Sequence, residues 1–275
     1  MVKDIVVNLS GRAPQDFAAN YAISVAAGFR AQLTGIAFLY EPVIPDGTLG
    51  GVPVELIELQ REENSKTAIG AISRFEAAAK AAGITAQTRT VDATFGGGAT
   101  AFGHIARRFD LAVVGQAQRE HGATEELMIE GALFEAGRPL IVVPYIQKRG
   151  LSLERVLACW DGSRTSARAI GDAMPFLERA KAVDLVTVAE ERKNDEITGA
   201  NMGEHLKRHG IAVNVKRITK ADLAVEDAIL SYAADSGADF LVMGGYGHSR
   251  LREFILGGAT RGILSAMTLP VLMSH

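Results

Sequence analysis

Cysteine occurs once in the 275 residues, at Cys159, and that scarcity removes two architectures. One thiol cannot close an intramolecular disulfide, and a multi-cysteine zinc site cannot be built from it. No apolar run approaches the ~20 residues of a membrane-spanning helix. The first apolar run, Ile5-Val6-Val7, is too short for the core of a secretory leader. Neither sign of charge dominates: 29 basic residues face 32 acidic ones, for a net charge of −3. No global field is available to hold a nucleic-acid backbone. Hydrophobic residues make up 48% and charged residues 22%, a balance that excludes a disordered chain. These absences lead to the expectation of a soluble cytoplasmic protein with neither membrane nor nucleic acid as partner. At ~150 residues per domain, the length predicts about two domains.

What is present is a duplication. Ile5-Val6-Val7-Asn8-Leu9-Ser10-Gly11 matches Val156-Leu157-Ala158-Cys159-Trp160-Asp161-Gly162, and each run precedes a helix-like stretch, 17–29 and 165–180. Further on, Phe109-Asp110-Leu111-Ala112-Val113-Val114-Gly115 parallels Ala238-Asp239-Phe240-Leu241-Val242-Met243-Gly244. Each half closes on an apolar run after a proline, at Pro139 and at Pro270. A two-copy repeat of this length predicts paired domains, 1–146 and 151–275, joined through Gln147-Lys148-Arg149-Gly150. Near-continuous apolar runs suit strands buried on both faces, and Ala-rich segments such as 68–82 and 225–234 are helix-length. Alternating strands and helices imply an α/β fold with parallel neighbours, about five strands and four helices per half. Residues 41–51, with Pro42, Pro45 and several glycines, predict an irregular loop.

The segment richest in chemistry runs from Met243 through Gly244, Gly245, Gly247, Gly257 and Gly258 to Thr260. It follows a predicted strand and leads into a helix-like stretch at 259–267. Glycines there permit close backbone approach, and the start of a helix offers free N–H groups to an anion. In a parallel sheet the strands' carboxyl ends line the ligand crevice, and Asp161 lies at another such end. A carboxylate on one side and glycines with a helix start on the other would form a nucleotide clasp. The same residues serve equally as turns, because Asp-Gly-Ser caps a helix and Gly-Gly pairs make turns without any ligand.

The pattern Gly244-x-x-Gly247, nine residues, then Gly257, together with Asp161-Gly162-Ser163 after the opening strand, resembles the universal stress protein family. The resemblance spans both halves, as in a tandem member. It implies two flavodoxin-like (adenine nucleotide alpha hydrolase-like) domains, each a five-stranded parallel sheet with helices on both faces. It also implies a stress-response role with ATP or another adenine nucleotide, with or without magnesium, in the C-terminal half. Asp161 would then face adenine or ribose, Met243 would lie beside the nucleotide, and Gly244, Gly247 and Gly257 would wrap ribose and phosphates. The base would pack against a residue of 186–188. Where the family's ATP-binding pattern has Ser or Thr this chain has Gly258, leaving its backbone N–H and the nearby Thr260 hydroxyl to meet phosphate. The first half departs further: Asn8-Leu9-Ser10 lack the carboxylate, Gln116-Ala117-Gln118 follow Gly115, and Glu130 precedes Gly131. It is expected to bind no ATP and to pair with the second half as an internal pseudo-dimer, with a homodimer left open. No catalytic constellation is present, so at most slow ATP hydrolysis is expected. The rival reading is a ligand-free interaction or scaffold protein, and a third is a small apolar or anionic metabolite in the first-half crevice.

Other motifs have plainer readings. Gly96-Gly97-Gly98 lacks the Gly-Lys-Ser/Thr of a P-loop and predicts a loop before a helix. Gly247-His248-Ser249-Arg250-Leu251 has Leu where a nucleophile elbow needs its second glycine. His205 and His209, four apart, share a helix face but are two ligands short of a structural zinc site. No metal site is expected.

Overall fold

The computed structural model describes residues 1–11, 15–41, 53–94, 96–118, 123–189, 199–219, 223–246 and 258–275. The described chain forms two compact units, Val2–Arg138 and Pro139–His275, with Met1 grouped with the second. Among the described residues there are ten strands and eight helices.

The first unit runs β1 (Asp4–Asn8), α1 (Phe17–Phe29), β2 (Gln32–Tyr40), α2 (Val54–Ala81), β3 (Ala86–Ala93), α3 (Gly97–Ala106), β4 (Leu111–Gly115) and α4 (Ala123–Glu135). Its strands lie in the order β3-β2-β1-β4, all parallel. Ile5, Val6 and Val7 are completely buried, as expected of a central strand packed on both faces. Asp16 starts α1: its carboxylate accepts the Ala19 N–H at 2.9 Å and the Ser10 N–H at 2.7 Å. Burial raises the Asp16 carboxyl above its ordinary range, against the pull of those amides.

The second unit runs β5 (Leu140–Val143), β6 (Val156–Cys159), α5 (Arg164–Leu177), β7 (Val183–Ala189), α6 (Gly199–Arg208), β8 (Val213–Thr219), α7 (Val225–Ser236), β9 (Phe240–Gly244), α8 (Gly258–Ala266) and β10 (Val271–Ser274). Strands β10-β9-β6-β7-β8 are parallel. The order β8-β7-β6-β9 repeats β3-β2-β1-β4, so the duplication read in the sequence is one of topology. One pairing departs from the all-parallel expectation. Strand β5 runs antiparallel to β10, with Val142 opposite Val271 and Leu140 opposite Met273. The fold is α/β and flavodoxin-like, with this mixed edge.

The repeat extends to its stitching. Asp110 Oδ2 accepts the N–H groups of Lys3 (2.8 Å) and Asp4 (3.1 Å). In the second unit Asp239 does the same for Glu154 (3.0 Å) and Arg155 (3.3 Å), and takes the Ser152 hydroxyl as well. One aspartate, before β4 in the first unit and before β9 in the second, thus ties down the chain entering β1 and β6 respectively. No described helix is long and apolar enough to cross a membrane.

Candidate functional site

In the second unit the strand order reverses between β6 and β9. The chain leaves β6 towards β7 on one side, and later returns to place β9 on the other. Such a switch point opens a crevice at the carboxyl ends of the two strands. Asp161 stands just past β6, and Gly244 ends β9.

The turn at Asp161 is built locally. Trp160 N–H still donates to the Val186 carbonyl at 2.8 Å, so the ladder persists one residue beyond β6. Gly162 then adopts φ 76°, a left-handed value that favours glycine. Across it, Asp161 Oδ1 accepts the Ser163 N–H at 2.9 Å, and Ser163 Oγ accepts the Ser166 N–H at 3.1 Å to cap α5. Partial burial pushes the Asp161 carboxyl up, but hydrogen bonds from the Ser163 hydroxyl and amide and the Ser166 hydroxyl outweigh it. The net shift is downward, so the group is ionised at neutral pH. The stability it contributes is present above the ordinary carboxylate range and is lost as pH falls through its depressed folded value. Asp161 is therefore a helix-turn element and, at the same time, an exposed anionic acceptor at the carboxyl end of β6.

Gly244 has a reason of its own to be glycine. A Cβ there would stand 2.6 Å from Ser166 N and 2.7 Å from Thr165 C, both backbone atoms. The first turn of α5 rests directly on the end of β9, and only a hydrogen fits between. Met243 is buried, opposite Met273 on β10. Beyond β9 the Gly245 N–H donates to the Ser274 carbonyl at 2.8 Å, and the Gly245 carbonyl lies 3.1 Å from His275 Nδ1. Tyr246 takes a left-handed φ of 53°, and its N–H donates to Thr260 Oγ1 at 3.3 Å. Thr260 is buried on α8, and a hydroxyl that accepts in this way keeps its own proton to donate. Gly258 opens α8, exposed, with nothing within 4 Å of the position a Cβ would take. Gly247 and Gly257, together with His248 and Arg250, lie outside the described residues.

The structure therefore brings Gly244 against the start of α5, which the Asp161 turn caps, and Tyr246 against Thr260. Sequence reasoning gave no role to Tyr246, Ser166 or His275. A left-handed tyrosine between glycines leaves no trace in composition, Ser166 acts inside the turn that caps α5, and His275 acts through tertiary contact.

The remaining motifs take structural roles. The N–H groups of Gly97 and Gly98 both donate to Thr94 at 3.1 Å, so the glycine run is the first turn of α3. His205 on α6 and His209, one residue past its end, stand edge to face at 4.8 Å. Among the described residues no three metal-ligating side chains converge. Burial, followed by the nearby Asp161 charge, pushes the Cys159 thiol up to about 12. We expect Cys159 in the folded protein to resist iodoacetamide at pH 8 and to react only after unfolding; mass spectrometry with and without denaturant checks this.

Comparison with known proteins gives a family match on the same half and fold matches over nearly the whole chain. Residues 152–275 match the universal stress protein family model. Universal stress protein Slr1230 of Synechocystis sp. is 28% identical over 179 residues, 60% of this chain. The match spans 57% of that relative's length. A universal stress protein from Archaeoglobus fulgidus has a similar fold, at 17% identity and a TM-score of 0.71, over 98% of this chain and 97% of its own. A functionally unknown protein from Pseudomonas aeruginosa is also similar, at 14% identity and a TM-score of 0.60, over 99% of this chain and 92% of its own.

Proposed function

We propose that this chain is a tandem universal stress protein whose C-terminal unit binds ATP or a related adenine nucleotide. The observation that carries the reading is the topological switch point of that unit, between β6 and β9. An ionised carboxylate, Asp161, stands at the carboxyl end of β6, and the Gly258 start of α8 follows the segment after β9. The carboxylate suits an adenine amino group or a ribose hydroxyl, and a helix start suits phosphate. The family match falls on this half, at 152–275. The N-terminal unit has Ser10 at the position that matches Asp161, and in this reading it binds no ATP and serves to pair with the second.

Calorimetry with ATP and magnesium on the full chain tests this. Asp161→Ala is expected to weaken binding by roughly tenfold or more, the value of a hydrogen bond to a charged group. Gly258→Ser is expected to tighten it about tenfold by restoring a phosphate-facing hydroxyl. The space around Gly258 is open, so that variant reports on the ligand and not on packing. No heat at millimolar ATP would overturn the proposal, as would unchanged affinity in Asp161→Ala.

One observation favours the second reading, a ligand-free interaction protein. The N–H groups of Gly245 and Tyr246, at the mouth of the crevice, are engaged by Ser274 and Thr260. The absence of ATP binding in the same calorimetry would select this reading.

A further inference from the structure

The first unit has a crevice of its own, and its chemistry is opposite to that of a phosphate site. A cleft of about 160 Å³ lies at the carboxyl ends of β1 and β2, between α2 and the first turn of α4. Leu9, Phe38 and Ala68 give it apolar walls, and Asn64 and Glu125 supply polar atoms. Glu125 Oε2 is buried and has no hydrogen-bond partner among the described residues. An unsatisfied buried acceptor costs about 1–3 kcal/mol, and more when charged, so it calls for a missing donor.

Two backbone donors at the end of β1 are already used. Leu9 N–H donates to the Ile36 carbonyl at 2.8 Å, and Ser10 N–H to Asp16 Oδ2 at 2.7 Å. Asn64 Nδ2 donates one N–H to the Tyr40 carbonyl at 2.6 Å, which holds the amide in place and leaves its oxygen as an acceptor for an occupant. The nearby cation, Arg74, is exposed, lies 3.4 Å from the carbonyls of Ser10 and Gly11, and is opposed by the Asp16 carboxylate. The lining acceptor left without a partner among the described residues is Glu125 Oε2. This counts against the anionic metabolite considered from the sequence, and the Glu125 carboxylate would repel one.

We propose that the first-unit cleft binds a small amine, a protonated nitrogen on an apolar body of about ring size. The ammonium donates to Glu125 Oε2 and the Asn64 oxygen, while the body lies against Phe38 and Ala68. The size is consistent, since cavities of ~150 Å³ admit a benzene ring. This site is independent of the nucleotide proposal, because every lining residue lies between positions 8 and 125.

The test uses the full chain and three ring-sized probes that differ in one group: benzylamine, benzyl alcohol and benzoate, titrated by calorimetry at pH 7. Benzylamine is expected to saturate at millimolar levels, benzyl alcohol to bind at least tenfold more weakly, and benzoate to give no signal. Glu125→Gln keeps the shape and removes the charge, and is expected to weaken benzylamine at least tenfold with ATP heats unchanged. The ligand series on the unaltered protein stands even if that variant folds poorly. Benzoate binding as well as benzylamine, no saturation by benzylamine, or full affinity in a folded Glu125→Gln protein would each overturn the proposal.

Discussion

Gly131→Ala is expected to destabilise the protein by about 2–3 kcal/mol, although the same change in an open helix stabilises. Gly131 lies inside α4, and a Cβ there would stand 2.3 Å from the Ala99 carbonyl oxygen and 2.7 Å from its carbonyl carbon. Gly103 on α3 faces the same crossing, its Cβ position 2.4 Å from the Gly131 carbonyl oxygen. Backbone meets backbone there, so no rotamer change can relieve the overlap and the two helices must move apart. Replacing glycine by alanine in a helix gains at most about 1 kcal/mol of propensity, too little to offset overpacking at a backbone contact. Gly171 in α5 is the control, since nothing lies within 4 Å of its Cβ position. Gly171→Ala is expected to stabilise by about 0.5–1 kcal/mol. Urea denaturation of both variants checks the pair. A Gly131→Ala protein as stable as the parent would mean that α3 and α4 are not held at backbone contact.

The contrast also explains why a glycine pattern alone does not distinguish a ligand site from a packing contact. In the sequence Gly131 reads as the surviving last glycine of a degenerate nucleotide motif. In the structure it is the meeting point of two helices. Gly244 reads as the first glycine of the intact motif, and it too has a packing reason, the start of α5 lying against it. A glycine that lets a ligand approach and one that lets a helix approach look alike in a sequence.

The inner strands were legible because burial on both faces writes itself as an unbroken apolar run. The edge strands were not. β3 (Ala86–Ala93) contains Gln87, Arg89 and Asp92, and β8 (Val213–Thr219) contains Asn214, Lys216 and Arg217. Half of the β3 residues and five of the seven in β8 are exposed, and their strand character comes from pairing with β2 and β7. Helix α2 was legible only over its second half. Ala68, Ala71, Phe75 and Ala79 are its buried residues, whereas Glu55 to Lys66 is largely exposed and carries no core-facing stripe. The site divides in the same way. Asp161 and its turn follow from Asp-Gly-Ser after a strand, but the unsatisfied oxygen of Glu125 depends on how α4 meets a cleft formed by β1, β2 and α2. No local pattern encodes that.

Arg155→Ala should lower stability by about 3 kcal/mol, because it strands a carboxylate that water cannot reach. Asp184 on β7 is 1% exposed and accepts from Arg155 Nη1 (3.0 Å), Asn214 Nδ2 (3.1 Å) and Tyr232 OH (3.2 Å). The two neutral donors remain in the variant, which keeps the cost towards the low end of the range for breaking a buried pair. Arg155 itself is 36% exposed at the side chain, so its own desolvation is partial and the attraction is screened on one side. The asymmetry is what matters: the cation can return to water, and the anion cannot. Burial, then the adjacent Asp184 charge, already raises the Tyr232 hydroxyl above its ordinary range. The phenol therefore stays a neutral donor and cannot replace the lost cation. Thermal unfolding should register a fall of roughly 6–12 °C for that loss. Arg155→Met combined with Asp184→Leu removes the charge as well as its partner and should recover most of the difference, since an apolar pair carries no desolvation debt. A single variant that loses less than about 1 kcal/mol would place this contact among ordinary surface ion pairs and leave Asp184 held by Asn214 and Tyr232 alone.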